Sequence, residues 1–308
     1  MVDVLLASTT ATDWNSTHLW VSAALPTAGD SIYCSGVSTS ITGGPTGTND
    51  VVFASLNFDK DYTGLVGGST AGLAVMALEV NAGYHFGATD PAGSGRINLN
   101  LTGGTEYTAT GRITVFDTSA SPTEEDNAAV RIVSDSTYHS VEVRKGTVGI
   151  ATNVAGETAT LHAVDVSFVG NVANDAEVHI APGATLTSYV QTGGDNVLRG
   201  QSGTVVVDGG ELLIAGLASY TAVTAGAEGK INLETGGTVI TLNVAGHVDM
   251  SRSREPRTVG NCNLYDGSTF KLDWSVVTLT NGIDFEETGA ERCTIEAGNN
   301  YTLSFAAI

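Results

Sequence analysis

One short pattern of apolar residues and glycine recurs along this chain and constrains its fold more than any other feature. Two apolar residues stand at alternate positions, a glycine follows three residues after the second, and another apolar residue comes three further on. Clear copies are Leu99, Leu101, Gly104, Tyr107, then Val178, Ile180, Gly183, Leu186, then Val205, Val207, Gly210, Leu213. The pattern continues at Ile231, Leu233, Gly236, Val239, at Cys262, Leu264, Gly267, Phe270, and at Cys293, Ile295, Gly298, Tyr301. A looser copy is Val141, Val143, Gly146, with Val148 displaced by one position. Side chains alternate between the two faces of a strand, so each apolar pair turns one face inward. Glycine tolerates the positive φ of a sharp corner, and the next apolar residue opens a new inward face.

The glycines at 104, 146, 183, 210, 236, 267 and 298 are separated by 42, 37, 27, 26, 31 and 31 residues. Parallel strands need a long connection instead of a two-residue hairpin. A repeat of roughly 27 residues suits one coil of three short strands and three corners. Between Gly210 and Gly236 the expected strands are 212–215, 220–224 and 230–233. The expected fold is therefore all-β, a right-handed parallel β-helix of three-strand coils. Residues 1–65 precede the first clear repeat and are read as an N-terminal cap or attachment region, with the β-helix over 66–308. The longer early intervals leave room for loops, such as 119–127 with its acidic run Glu124, Glu125, Asp126. The best helical candidate, 70–79, is read as a buried strand or a short cap helix. A β-sandwich also uses short strands and glycine, but it needs hairpins, and Asn281–Gly282 is the only Asn-Gly dipeptide.

Two local consequences follow from that register. Leu101, Ile180, Val207, Leu233, Leu264 and Ile295 share one place before the repeat glycine and are expected to form a single buried stack. Cys262 and Cys293 share the first apolar place, so they are expected to be stacked neighbours that stay reduced, since side chains in register are too far apart for an unstrained disulfide.

Composition narrows the function classes. Hydrophobic residues reach 42%, enough for a continuous core, whereas 33 acidic residues against 13 basic ones give a formal charge of −20. A surface that tracks phosphates needs clustered cations, so no nucleic-acid partner is expected. Residues 1–12 carry no basic segment, and the apolar stretch 4–7 is too short for a secretory core or a membrane span. Three cysteines do not make a disulfide framework. Synthesis in a reducing cytoplasm and no membrane partner are the expectations.

Candidate chemistry is sparse. No serine has glycine at both −2 and +2, as a hydrolase elbow requires. The histidines at 18, 85, 139, 162, 179 and 247 lack metal-ligand spacing. Asp59, Asp61 and Gly64 resemble the opening of a calcium loop, but Thr70 stands where a bidentate carboxylate is wanted. Asp165, Asp175 and Glu177 offer carboxylates near Arg199, the raw material of a glycan-cleaving site. No catalytic residue, metal ligand or cofactor is assigned, and the chain is read as a non-enzyme. Arg252, Arg254 and Arg257 break the acidic background and are read as a projecting loop able to pair with carboxylates of a neighbouring copy or another protein.

A family likeness rests on three stretches. Trp14, Trp20, Pro26, Gly29, Asp30 and Ile32 resemble the opening of a group of phage virion β-helix proteins. Asp61, Tyr62, Thr63, Gly64, Leu65, Val66 and Gly67 resemble the segment that follows it. Arg257, Thr258, Val259, Asn263, Leu264, Tyr265, Asp266, Gly267 and then Val277, Thr278, Leu279, Thr280, Asn281, Gly282 are similar to the last coils of that group. The resemblance implies a structural virion protein on the capsid surface of a tailed phage, a decoration, cement or head-spike protein. It implies homotrimers made in the host cytoplasm and contact with the major capsid protein or other virion proteins. Trp14 and Trp20 are then candidates for attachment, and Arg252, Arg254 and Arg257 for contact between subunits or with the capsid. A tail spike or fibre that binds host carbohydrate, with or without depolymerase activity, is the alternative.

Overall fold

The computed structural model describes residues 3–10, 16–27, 30–34, 37–41, 131–132, 141–143, 147–152, 177–273, 276–286 and 293–296. It gives the backbone alone for 55–58, 73–74, 84–86, 97–101, 112–115, 130, 133–134, 140, 146, 164–166, 176 and 297. Every strand pairing among these residues is parallel, and the strands wind into a β-helix. The expected fold class is therefore the observed one.

Between residues 181 and 297 the coils have three inward faces. On the first, Leu186, Ser202, Tyr220, Val239, Val259 and Leu279 stand in register on successive coils. On the second, the two inward columns are Tyr189, Val205, Val223, Leu242, Cys262, Ile283 and Gln191, Val207, Ala225, Val244, Leu264, Phe285. The third face carries Leu212, Ile231, Val248, Phe270, Ile295 beside Ile180, Leu198, Ile214, Leu233, Met250, Leu272. Most of these side chains are fully buried. Burying apolar surface at about 25 cal/mol per Å² makes these columns the main source of stability.

The corners explain how a flat alternation closes on itself. Within a face inward residues are two apart. Across the corner between the first and second faces they are three apart, at Tyr220 and Val223, Val239 and Leu242, Val259 and Cys262. One extra residue re-aims the chain without ending the strand. A large ring also finds room in this way: Tyr220 packs over the small, buried Ser202, and its hydroxyl donates to the Gly200 carbonyl 3.0 Å away.

The coil is shorter than the glycine spacing suggests. Asn243 and Asn263, bonded across adjacent coils, are 20 residues apart, and Ile214 stacks on Leu233, 233 − 214 = 19 residues later. Two of the three strands expected within one coil, those at 212–215 and 230–233, in fact pair with each other on adjacent coils. The repeat glycines mark two different corners. Gly210 and Gly267, with φ of 74° and 79°, turn from the second face to the third, whereas Gly183 and Gly236 lie between the third face and the first. The interval from one to the next therefore measures a turn plus part of another.

The stacking in both register-based expectations is overturned for this reason, and Cys262 and Cys293 are free thiols. Ile180 and Leu233 share a third-face column, Val207 and Leu264 share a second-face column, and Ile295 lies in a further one. Leu101 pairs in register with Ser134. Cys262 stands between Leu242 and Ile283 on the second face, whereas Cys293 precedes the third-face strand Thr294–Ala297 and donates its thiol to the Tyr265 carbonyl at 3.1 Å. The two cysteines are not stacked.

The first strand, Asp3–Leu5, pairs with Ser31–Cys34, which pairs with Ser55–Phe58, and Phe58 pairs with Phe86, so the sheet crosses position 65 without a break in pairing. Residues 73–74, within the stretch read as strand or cap helix, form a short strand against 99–100.

Candidate functional site

With the core turned inward, chemistry is left to corners, outward faces and the N-terminal end. At that end Trp20 lies antiparallel to Leu6, with the Val21 amide donating to the Leu5 carbonyl at 2.9 Å and the Ala7 amide to Leu19 at 2.8 Å. The segment thus covers the outer edge of the first strand, the edge most prone to pairing with another chain. Trp20 is 2% exposed and fills the end of the core, while Leu5, Val21 and Leu25 around it are exposed. Trp14 lies outside the described residues, as do Asp59, Asp61, Gly64, Asp175 and the acidic run at 124–126.

The three arginines take different positions. Arg257 is buried: its guanidinium donates to the carbonyls of Leu233, Ser253 (2.6 Å) and Glu255 (3.1 Å), which fastens the loop 251–256 to the coil below. Arg252 and Arg254 are exposed on that loop. Arg252 reaches Asp249 at 3.3 Å. Burial alone would push the Asp249 carboxyl up, but the hydroxyl and amide of Ser251 and the Arg252 charge outweigh it and hold it low.

Two of the carboxylates suggested for glycan cleavage stand on strands of different columns. Asp165 belongs to a strand in register with Thr185, whereas Glu177 belongs to one in register with Thr147, in a different column of strands. Glu177 is occupied by His179 Nε2 at 2.8 Å. Among the described residues no three of His, Cys, Asp or Glu gather to hold a metal ion.

The sequence reading missed the outward side of the second face. Asn263 Nδ2 donates to Asn243 Oδ1 at 2.8 Å, and Asn243 Nδ2 to Thr224 Oγ1 at 3.2 Å. Beside this ladder Asn281 Nδ2 donates to Asn261 Oδ1 at 2.6 Å. The two rows border a surface groove lined by Thr241, Asn261, Asn263, Asn281 and Asp284. A signal existed in the sequence, polar residues recurring at 20-residue steps, but it emerges only at the true coil length. Beneath the groove the buried Cys262 thiol is pushed up to about 12, so it stays protonated and unreactive.

No family model, curated protein or solved structure matches this chain.

Proposed function

We propose that the chain is a structural virion protein of a tailed phage, a capsid decoration protein of the cement or head-spike type. It acts as a homotrimer on the capsid surface, bound to the major capsid protein or another virion protein. The observation that carries this reading is the run of inward columns, apolar apart from Ser202 and Gln191, through successive coils. Such a body is stiff, extends in one dimension, and leaves its outer faces free for contact. The likeness of the opening and of residues 257–282 to phage virion β-helices points the same way. Attachment is assigned to residues 1–65, where Leu5, Val21 and Leu25 are exposed apolar side chains around a closed core. Arg252 and Arg254 supply cations to an otherwise acidic surface for contact between subunits or with the capsid. No catalytic role is assigned.

The test is to locate the chain on intact particles by cryo-electron microscopy and to weigh the isolated protein by light scattering. Repeated density on the capsid lattice and a mass near three times 31.5 kDa are expected. Absence from purified particles would overturn the reading. Density confined to the tail would replace it with the spike or fibre reading, which the amide-lined groove favours. Incubation with host capsule or lipopolysaccharide is expected to release no new reducing ends.

A further inference from the structure

The geometry points to a binding site for a neutral saccharide in the groove on the outward side of the second face. The site rests on the chemistry of its rungs. A carboxamide carries two donor hydrogens and two acceptor lone pairs. Each ladder bond between Asn243 and Asn263, or between Asn261 and Asn281, consumes one donor of one amide and one lone pair of its neighbour. Asn261, Asn263 and Asn281 therefore keep both a donor and an acceptor for solvent, held in a fixed row by the coil spacing of about 4.8 Å. A sugar hydroxyl is likewise donor and acceptor at once, and neighbouring hydroxyls on a pyranose lie within a few ångströms of each other. The rungs match such a row of hydroxyls, and Thr241 and Asp284 extend the match at either side of the groove.

Two further features complete the site. Tyr265 stands two residues beyond Asn263 at the same outward parity of the strand and is 37% exposed, which puts an aromatic ring within reach of a sugar that extends along the row of amides. At the far side lies the turn at Gly282, φ 82°, where no described residue comes within 4 Å of the point at which a side chain would begin. Charge sets the ligand class. The groove's ionisable lining is the Asp284 carboxylate, and the whole chain carries −20, so uronic or sialic acids are repelled and uncharged hexose chains are favoured. The site belongs to the isolated chain and does not depend on where the protein resides.

Saturation-transfer NMR on the full chain with maltohexaose, cellohexaose and oligogalacturonate tests this. Transfer to at least one neutral hexasaccharide and none to oligogalacturonate is expected. Asp284→Ala and Tyr265→Ala, neither of which removes a ladder bond, are expected to weaken binding at least tenfold while melting like wild type. Absence of transfer to both neutral probes, or preference for the acidic one, overturns the site. Binding that survives both substitutions places the saccharide elsewhere and also overturns it. A purely structural ladder would be shown by Asn263→Ala lowering the melting temperature with no sugar bound by the parent chain.

Discussion

The second and third faces of the coil share the same inward chemistry and differ in what they show to water. Inside, both are predominantly apolar columns in register. Outside, the second face carries the Thr224, Asn243, Asn263 ladder, neutral and bonded coil to coil. The third face carries charge: Glu211, Lys230 and His247 run in one column, and in the next Lys271 and Glu296, 2.7 Å apart, follow the buried Asn232 and Asp249. Exposed ion pairs contribute little, because water screens them and long side chains lose freedom. The third face thus gains solubility from its charges, whereas the second gains both coil alignment and a recognition surface from its amides.

The largest effect expected lies in the interior common to both faces. Leu233→Asp buries an unpaired charge and is expected to cost several kcal/mol, comparable to a domain's whole stability. A variant that melts like wild type would refute the inward column. Next comes the corner that joins the two faces. At Gly210 the backbone is left-handed, and a Cβ would overlap the backbone of Gly193 and Gly194, so Gly210→Ala should lose about 1–3 kcal/mol. Gly282→Ala meets no described residue within 4 Å and should lose about 1 kcal/mol from its φ alone. Equal losses in denaturant titrations would show that the crowding has no energetic weight.

The outward contrast predicts a smaller difference. Asn243→Ala removes two ladder bonds and should destabilise by about 1–2 kcal/mol. Lys271→Ala on the charged face should leave the melting temperature unchanged. The reverse order would invert the roles of the two faces.

The smallest effect is pH-dependent. The Asp249 carboxyl titrates lower in the folded chain than in the unfolded one, so its contribution is present above the ordinary carboxylate range and fades as pH falls through its folded value. Protection of the Ser251 amide, its exchange rate set against the intrinsic rate at the same pH, should weaken on acidification below about pH 4, a range set by the ordinary aspartate value. In Asp249→Asn this dependence should vanish. Retention of the same profile in that variant would assign the titration elsewhere.

The inward half of this architecture was legible and its pitch was not. Val205, Val207, Ile231, Leu233, Cys262, Leu264 and Phe270 all face the core as the alternation predicts. Leu213 does not, because Leu212 and Ile214 take the inward places after the Gly209–Gly210 corner. The pitch failed because first and second faces are one bent strand, such as Tyr220–Ala225, with a three-residue step that glycine marks on some coils (Gly203, Gly260) and not on others (221–222, 240–241). Counting by glycine then skips between unlike corners. The groove was lost with the pitch, since Asn243 and Asn263 are neighbours only when a coil is 20 residues long. Arg257 shows the remaining limit. Composition marks an arginine-rich loop, but which guanidinium turns inward depends on free carbonyls, here those of Leu233 and Ser253.

The direction of the coil-to-coil hydrogen bonds has a mechanical consequence. They run along the long axis, so tension applied at the two ends loads one coil at a time instead of shearing all coils together. Each released coil of about 20 residues frees roughly 70 Å of chain at about 3.5 Å per residue. A stretched molecule would pay out slack in small, nearly equal increments, yielding gradually under a sudden internal load where a sheared sheet would snap.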